Sequence, residues 1–259
     1  MTMVHGSVPA PTNLSFFNHS LPGHNNPTVP DTNLTMAPEP LREQFAYHGA
    51  DGYYFNNNLW GKDSASSGSQ VLHVNNASTD GSSWHTEWSW DGAPNNVKSY
   101  PYSGRELGNG RTKKLIKDIG SIWTKAEWDY RGDSIRANVA YDLFTAKDRD
   151  RDTSGGDYEL MIWLGNYGGM YPIGSSTGHV TINGRSWELY VGMNGDMKVF
   201  SFLAGEHVKV FEGDLRPFFG HITEKHGFPA HEQHLTKPFT GSNARFDVWY
   251  WMGEVDQGS

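Results

Sequence analysis

With 259 residues, 36% of them hydrophobic and 14% aromatic, the chain is long enough to bury one substantial core. Its 21 Lys and Arg against 29 Asp and Glu give a formal charge of −8 with no basic stripe, which argues against a nucleic-acid or anionic-membrane partner. No apolar run approaches the ~20 residues of a membrane span, no basic-then-apolar leader is visible and Cys is absent. An intracellular, cytoplasmic location is therefore expected if Met1 is the natural start, and a secreted one if it is not.

Residues 1–42 are rich in Pro, Asn, Ser and Thr and carry no hydrophobic period, so they read as a tail unable to offset its ordering entropy, with one domain over 43–259. The tripeptides Asn13-Leu14-Ser15, Asn18-His19-Ser20, Asn33-Leu34-Thr35 and Asn76-Ala77-Ser78 would accept glycans only in a secreted chain, and Asn/Ser-rich composition accounts for them as well. From Tyr53 onward, alternation interrupted by Gly, Asn and Ser turns predicts many antiparallel strands. Trp84, Thr86, Trp88 and Trp90 share one strand face. Ile135, Ala137, Val139, Tyr141 and Leu143 share another, with Arg136, Asn138, Ala140 and Asp142 opposite, which implies a polar concave face. Further strands are predicted at Trp187 to Val191, Met197 to Leu203 and Phe246 to Met252. One segment breaks the period. Asp214 can cap a helix, Pro217 falls in its first turn, Leu215, Phe218, Phe219 and Ile222 form an apolar stripe, and Gly227 ends it. The pattern is all-β, a two-sheet antiparallel sandwich with one helix on its outer side.

Along Tyr158 to Leu164, Glu159, Met161 and Trp163 fall on one face. A carboxylate beside an aromatic suits a sugar, whose apolar ring face stacks on the aromatic. Cleavage with retention needs two carboxyls about 5 to 5.5 Å apart, one attacking the anomeric carbon and one protonating the leaving oxygen. Taken alone, Glu159 in an alternating strand is more often a solvated glutamate. Asp148, Asp150, Asp152 and Glu159 fit a calcium-loop spacing, but Thr153 replaces its glycine. His226, His231 and His234 lack the four-residue spacing of a helical zinc site, so no metal or cofactor is expected. Arg131-Gly132-Asp133 reads as a tight turn, and Tyr100-Pro101-Tyr102 as either groove lining or core.

Six segments together resemble glycoside hydrolase family 12, especially its fungal xyloglucan-specific endo-β-1,4-glucanases. They are Asn57 to Gln70, Asn96 to Tyr100, Val139 to Thr145, the Glu159 strand, Gly184 to Tyr190 and Pro238 to Ala244. The resemblance implies a β-jelly roll with an open cleft on its concave face and a small-molecule or oligosaccharide ligand. Glu159 then matches the nucleophile, Asp142 the carboxyl that hydrogen-bonds it, and Trp60 and Met161 cleft-lining positions. Trp163, Tyr100 and Asn58 are further candidate ligand contacts.

Three departures stand beside these matches. Thr236-Lys237-Pro238-Phe239 places Lys237 where the family carries its acid/base glutamate. Around six residues are missing before Thr236, so that strand is expected to be shortened or rerouted. The family's disulfide positions, around Arg42 and at Val71, hold no Cys. A Lys facing Glu159 would keep the nucleophile ionised and, near its ordinary pKa of about 10.4, protonate a leaving oxygen poorly. Glu232 is the candidate substitute acid. Three functions follow: a repurposed enzyme using Glu159, Asp142 and Lys237 for proton-transfer or cyclisation chemistry on a small molecule, a slow retaining glucanase using Glu232, or a non-catalytic glucan binder or decoy.

Overall fold

A computed structural model describes residues 39–107, 113–151, 155–241 and 245–254. Fourteen strands and one α-helix follow in order among them. The strands are β1 (Tyr47–Ala50), β2 (Tyr53–Asn56), β3 (Ser67–Ser78), β4 (Gly81–Asp91), β5 (Tyr102–Arg105), β6 (Ile119–Asp129) and β7 (Ala137–Ala146). They continue as β8 (Tyr158–Tyr167), β9 (Ser175–Ile182), β10 (Arg185–Asn194), β11 (Met197–Ala204), β12 (Val210–Asp214), the helix α1 (Arg216–His226), β13 (His234–Gly241) and β14 (Arg245–Glu254). A nine-stranded sheet runs β1-β2-β5-β13-β7-β8-β11-β10-β9, and a five-stranded sheet runs β12-β6-β14-β4-β3. The predicted sandwich is present, with one exception to its antiparallel pairing. β11 lies parallel to β8, because the chain leaves β8, crosses to the far edge and returns through the β9-β10-β11 meander.

The core lies between the sheets, with Trp84, Tyr141, Trp187, Phe200, Phe202 and Phe211 all almost fully buried. Two core indoles donate to backbone carbonyls, Trp187 to Ile182 O at 3.1 Å and Trp128 to Val208 O at 2.8 Å. α1 packs Phe218 edge-on against Trp187 and Phe202, extending the cover over the larger sheet. The predicted stripe of Leu215, Phe218, Phe219 and Ile222 is wholly buried, and Gly227 closes the helix in the left-handed region at φ 66°. The N-cap is Leu215 and not the expected Asp214, which stands one residue earlier; Asp214 Oδ1 accepts the N–H of Arg216 at 2.8 Å and that of Ile122 at 2.7 Å, tying the helix start to β6.

Strand β7 begins at Ala137, so Ile135 lies outside it. Val139, Tyr141 and Leu143 enter the main core as their alternation predicts, but Asn138, Ala140 and Asp142 are buried too. The concave face is therefore largely desolvated at its centre, not simply polar. Residues 1–38, most of the expected tail, lie outside the described residues. Leu41 exchanges both backbone hydrogen bonds with Leu72, 2.8 and 3.0 Å, so residues 41 and 72 adjoin at the edge of β3. Arg42 and Val71, the positions tied to a family disulfide, flank that bridge.

Candidate active site

Cross-strand pairing generates the site. Residues paired directly across strands point to the same side of a sheet, so the register draws rows across the concave face. One row runs Tyr54, Gly104, Phe239, Asp142, Met161, Ser201 and Tyr190. Beside it runs Lys237, Phe144, Glu159 and Val199. On the other side runs Asn56, Tyr102, Gly241, Ala140, Trp163 and Leu203. Asp142 and Glu159 are thus diagonal neighbours on adjacent strands, and their side chains share a hydrogen bond.

Two apolar groups flank this pair, both separate from the main core. Tyr54, Phe144 and Met197 pack with Tyr102 on one side, and Ala140, Trp163 and Leu203 pack with Met161, Met170 and Tyr190 on the other. The result is a carboxyl pair set in an aromatic floor. Gly104 makes room for it: a Cβ there would lie 2.3 Å from Cζ of Tyr54, so only glycine lets that phenol cross β5.

Burial decides the protonation of the pair. Glu159 is 8% exposed and Asp142 5%. Desolvation pushes the Glu159 carboxyl up to about 7, partly offset by the hydrogen bond from Asp142. Desolvation also lifts Asp142 well above its ordinary range, and the neighbouring Glu159 charge and their hydrogen bond lift it further. The pair holds a proton that Asp142 donates to Glu159.

Lys237 occupies the expected row but not the expected role. Its Nζ lies 5.3 Å from the centroid of the Tyr54 ring, a cation–π contact on the side away from Glu159. The expectation that Lys237 keeps Glu159 ionised is not met: burial, the largest effect, raises the Glu159 carboxyl. The strand is not rerouted either. β13 pairs with both β5 and β7, and Thr236 is an extra, bulged residue between Leu235 and Lys237, its hydroxyl donating to Phe144 O at 3.0 Å.

Glu232 is not brought to the pair. It sits in the turn before β13, where its carboxylate binds Lys147 Nζ at 3.0 Å and lies 3.5 Å from His231 Nε2. Lys147 falls three residues beyond Phe144, about 10 Å along the strand, and its hydrogen bond and charge hold Glu232 below its ordinary pKa. Asp157, two residues before Glu159, is no substitute. Burial pushes its carboxyl up, but hydrogen bonds from Lys147 N–H and Gln233 and the Arg151 and Lys147 charges outweigh this and keep it ionised.

Of the remaining candidates, Met161 and Trp163 lie in the concave rows, with Trp163 Nε1 donating to Met161 Sδ at 3.4 Å. Trp60 stands beyond the end of β2, 56% exposed, beside Val97 and Asn96 in a shallow depression. Asn58 positions that loop: at φ 47° its amide donates to Tyr100 O at 2.8 Å, and Tyr100 N–H returns a bond to Asn58 O at 3.0 Å. Tyr100 is its partner in the same clamp, with a buried hydroxyl oxygen. Sequence reading missed Tyr54 and Phe144, and read Tyr102 as groove lining or core. Phe144 was within reach, two residues after Asp142 in an alternating strand, whereas Tyr54 depends on Gly104 across the sheet.

A model of the family described as "Glycosyl hydrolase family 12" matches residues 51–256. This chain belongs to glycosyl hydrolase family 12. Among family members, the Xyloglucan-specific endo-beta-1,4-glucanase A of Emericella nidulans is 41% identical over 207 residues, 77% of this chain and 84% of that protein. The Inactive glycoside hydrolase XLP1 of Phytophthora nicotianae is 42% identical over 224 residues, 82% of this chain and 90% of that protein. The catalytic domain of Humicola grisea Cel12A, solved in complex with a soaked thio cellotetraose, superposes with a TM-score of 0.78 at 44% identity, covering 83% of this chain and 99% of that one. The jelly-roll sandwich of family 12 is thus the fold here.

Proposed function

We propose that this family 12 chain binds β-1,4-glucan oligosaccharides, of the xyloglucan or cello-oligosaccharide type, in its concave cleft without effective hydrolysis. The observation that carries the reading is the composition of the Glu159 rows. Asp142 shares a hydrogen bond with Glu159, closer than the about 5 to 5.5 Å that leaves room for an anomeric carbon between two carboxyls. The row position across Phe144 carries an ammonium turned toward Tyr54, and Glu232 is held ionised on Lys147. Loss of general acid catalysis alone lowers the rate roughly 10²- to 10⁴-fold. The aromatic floor, by contrast, retains what sugar stacking needs. Support also comes from the relatives, which include both endoglucanases and a protein named as an inactive glycoside hydrolase.

Calorimetry with xyloglucan oligosaccharides and a cellotetraose, run beside a reducing-sugar assay on xyloglucan, tests the proposal. Saturable binding with no sugar release above background is expected. A flat titration would remove the binder reading and favour a decoy, while release at the rate of an active relative would remove the loss of hydrolysis. One observation favours a second reading, proton transfer on a small molecule: a buried carboxyl pair with Glu159 raised to about 7 suits general acid-base work at neutral pH. Turnover of a small substrate abolished by Glu159→Gln would select it.

A further inference from the structure

The face of the sandwich opposite the cleft carries a cluster that the glucan reading does not use. On the outer side of the smaller sheet, His73 of β3 pairs directly across from His85 of β4, and Glu87 follows His85 two residues on, on the same face. The two imidazoles stack with centroids 4.6 Å apart and planes 3° apart. One donor atom from each of His73, His85 and Glu87 lies within 4.8 Å of the others, and among the described residues this is the one such group of three. We propose that His73, His85 and Glu87 form a binding site for a borderline divalent cation, Zn²⁺ or its Cu²⁺ and Ni²⁺ neighbours, which clamps β3 to β4.

The donor set, two imidazoles and a carboxylate, selects this class over Ca²⁺ and Mg²⁺, which take oxygen ligands. With a solvent molecule in the fourth position it meets a tetrahedral Zn²⁺ site, whose donors lie about 2.0 to 2.2 Å from the metal and so roughly 3.3 Å from each other. Closing from within 4.8 Å requires only side-chain rotation on two strands already fixed in register.

The surrounding groups prepare the ligands. His85 Nδ1 lies 2.8 Å from Asn75 Oδ1, while the Asn75 amide nitrogen is directed at Ser83 Oγ, 3.4 Å away. That arrangement makes Asn75 Oδ1 the acceptor and Nδ1–H the donor, so the tautomer presents its lone pair at Nε2, as an orienting partner does for a metal-bound histidine. Nε2 of His73 is buried and has no hydrogen-bond partner in the structure. A metal here would fasten β3, the edge strand to which Leu41 is bridged and in which Gln70 holds the Trp60 loop by donating to Asn57 O at 2.8 Å.

The test titrates ZnCl₂ into chelator-treated full-length protein by calorimetry and follows the thermal midpoint. One equivalent should bind and raise the midpoint. Glu87→Gln and His73→Ala should each weaken binding at least tenfold, and Asn75→Ala about 10- to 100-fold, since it releases the orientation of His85. His85→Asn serves if an alanine variant at 85 fails to fold. Oligosaccharide affinity, measured separately, should not change with Zn²⁺, because the cleft is on the other face. Absence of stoichiometric binding, binding unaltered in both Glu87→Gln and His73→Ala, or competition with the oligosaccharide would each overturn the assignment.

Discussion

Lys237→Glu should restore hydrolysis, and the geometry sets how much. Lys237, Phe144 and Glu159 are in register on β13, β7 and β8, so two strand spacings of about 4.8 Å place Cα 237 about 9.6 Å from Cα 159. Two glutamates leaning toward each other by ~2 Å apiece over Phe144 reach the about 5 to 5.5 Å of a retaining pair. The lysine reaches the other way, onto Tyr54, so its replacement does not disturb the Asp142–Glu159 hydrogen bond. A positioned general acid contributes roughly 10²- to 10⁴-fold, or about 3 to 5 kcal/mol of barrier. Reducing-sugar release from xyloglucan should therefore rise at least 100-fold over the parent chain, to a level that Glu159→Gln in the same background returns to baseline. Lys237→Gln removes the cation without supplying an acid, and should gain nothing. The reasoning fails if Lys237→Glu folds, binds the oligosaccharide and stays at the parent rate. It fails equally if Lys237→Gln gains as much, since charge removal and not the acid would then be responsible.

Three further outcomes follow from the same geometry. The Glu159 carboxyl rises from an ordinary 4.5 to about 7 on folding, so its contribution to stability is complete below about 4.5 and is lost as pH rises through 7. At about 1.4 kcal/mol per pH unit this is worth about 3 kcal/mol, and chemical denaturation between pH 4 and 8 should show stability falling with pH, less steeply in Glu159→Gln. Gly104→Ala puts a Cβ 2.3 Å from Cζ of Tyr54 and should displace that ring, weakening oligosaccharide binding several-fold; unchanged affinity in calorimetry would remove Tyr54 from the cleft floor. Phe218→Ala empties a fully buried site between Trp187 and Phe202 and should cost about 3 to 5 kcal/mol by urea denaturation, with a cost under 1 kcal/mol showing that α1 is not anchored there.

Much of the site was legible from single strands. Alternation along Tyr158 to Leu164 put Glu159, Met161 and Trp163 on one face, and alternation along β7 put Asp142 opposite Tyr141, because a strand's two-residue period is a property of local backbone geometry. The clamp between Asn58 and Tyr100 was not legible for the converse reason. Both match a glycosidase segment, yet their polar groups hold each other across 42 residues of chain, which no local pattern records. The same blindness affected the outer sheet. The Trp84, Thr86, Trp88 face drew notice while His85 and Glu87 on its reverse did not, since their significance requires His73 from the neighbouring strand.

By itself the sequence determined the all-β class, the buried stripe of α1 and the carboxyl on the Glu159 strand. Each follows from residue identity and a local period. Tertiary structure alone decided what these residues do to one another. Register made Asp142 a neighbour of Glu159, a bulge at Thr236 kept β13 in its sheet, and the absence of a Cβ at Gly104 let Tyr54 draw the Lys237 ammonium away from the pair. Electrostatics in a desolvated cleft depends on which groups lie within a few ångströms, and that distance is fixed by strands far apart in the chain.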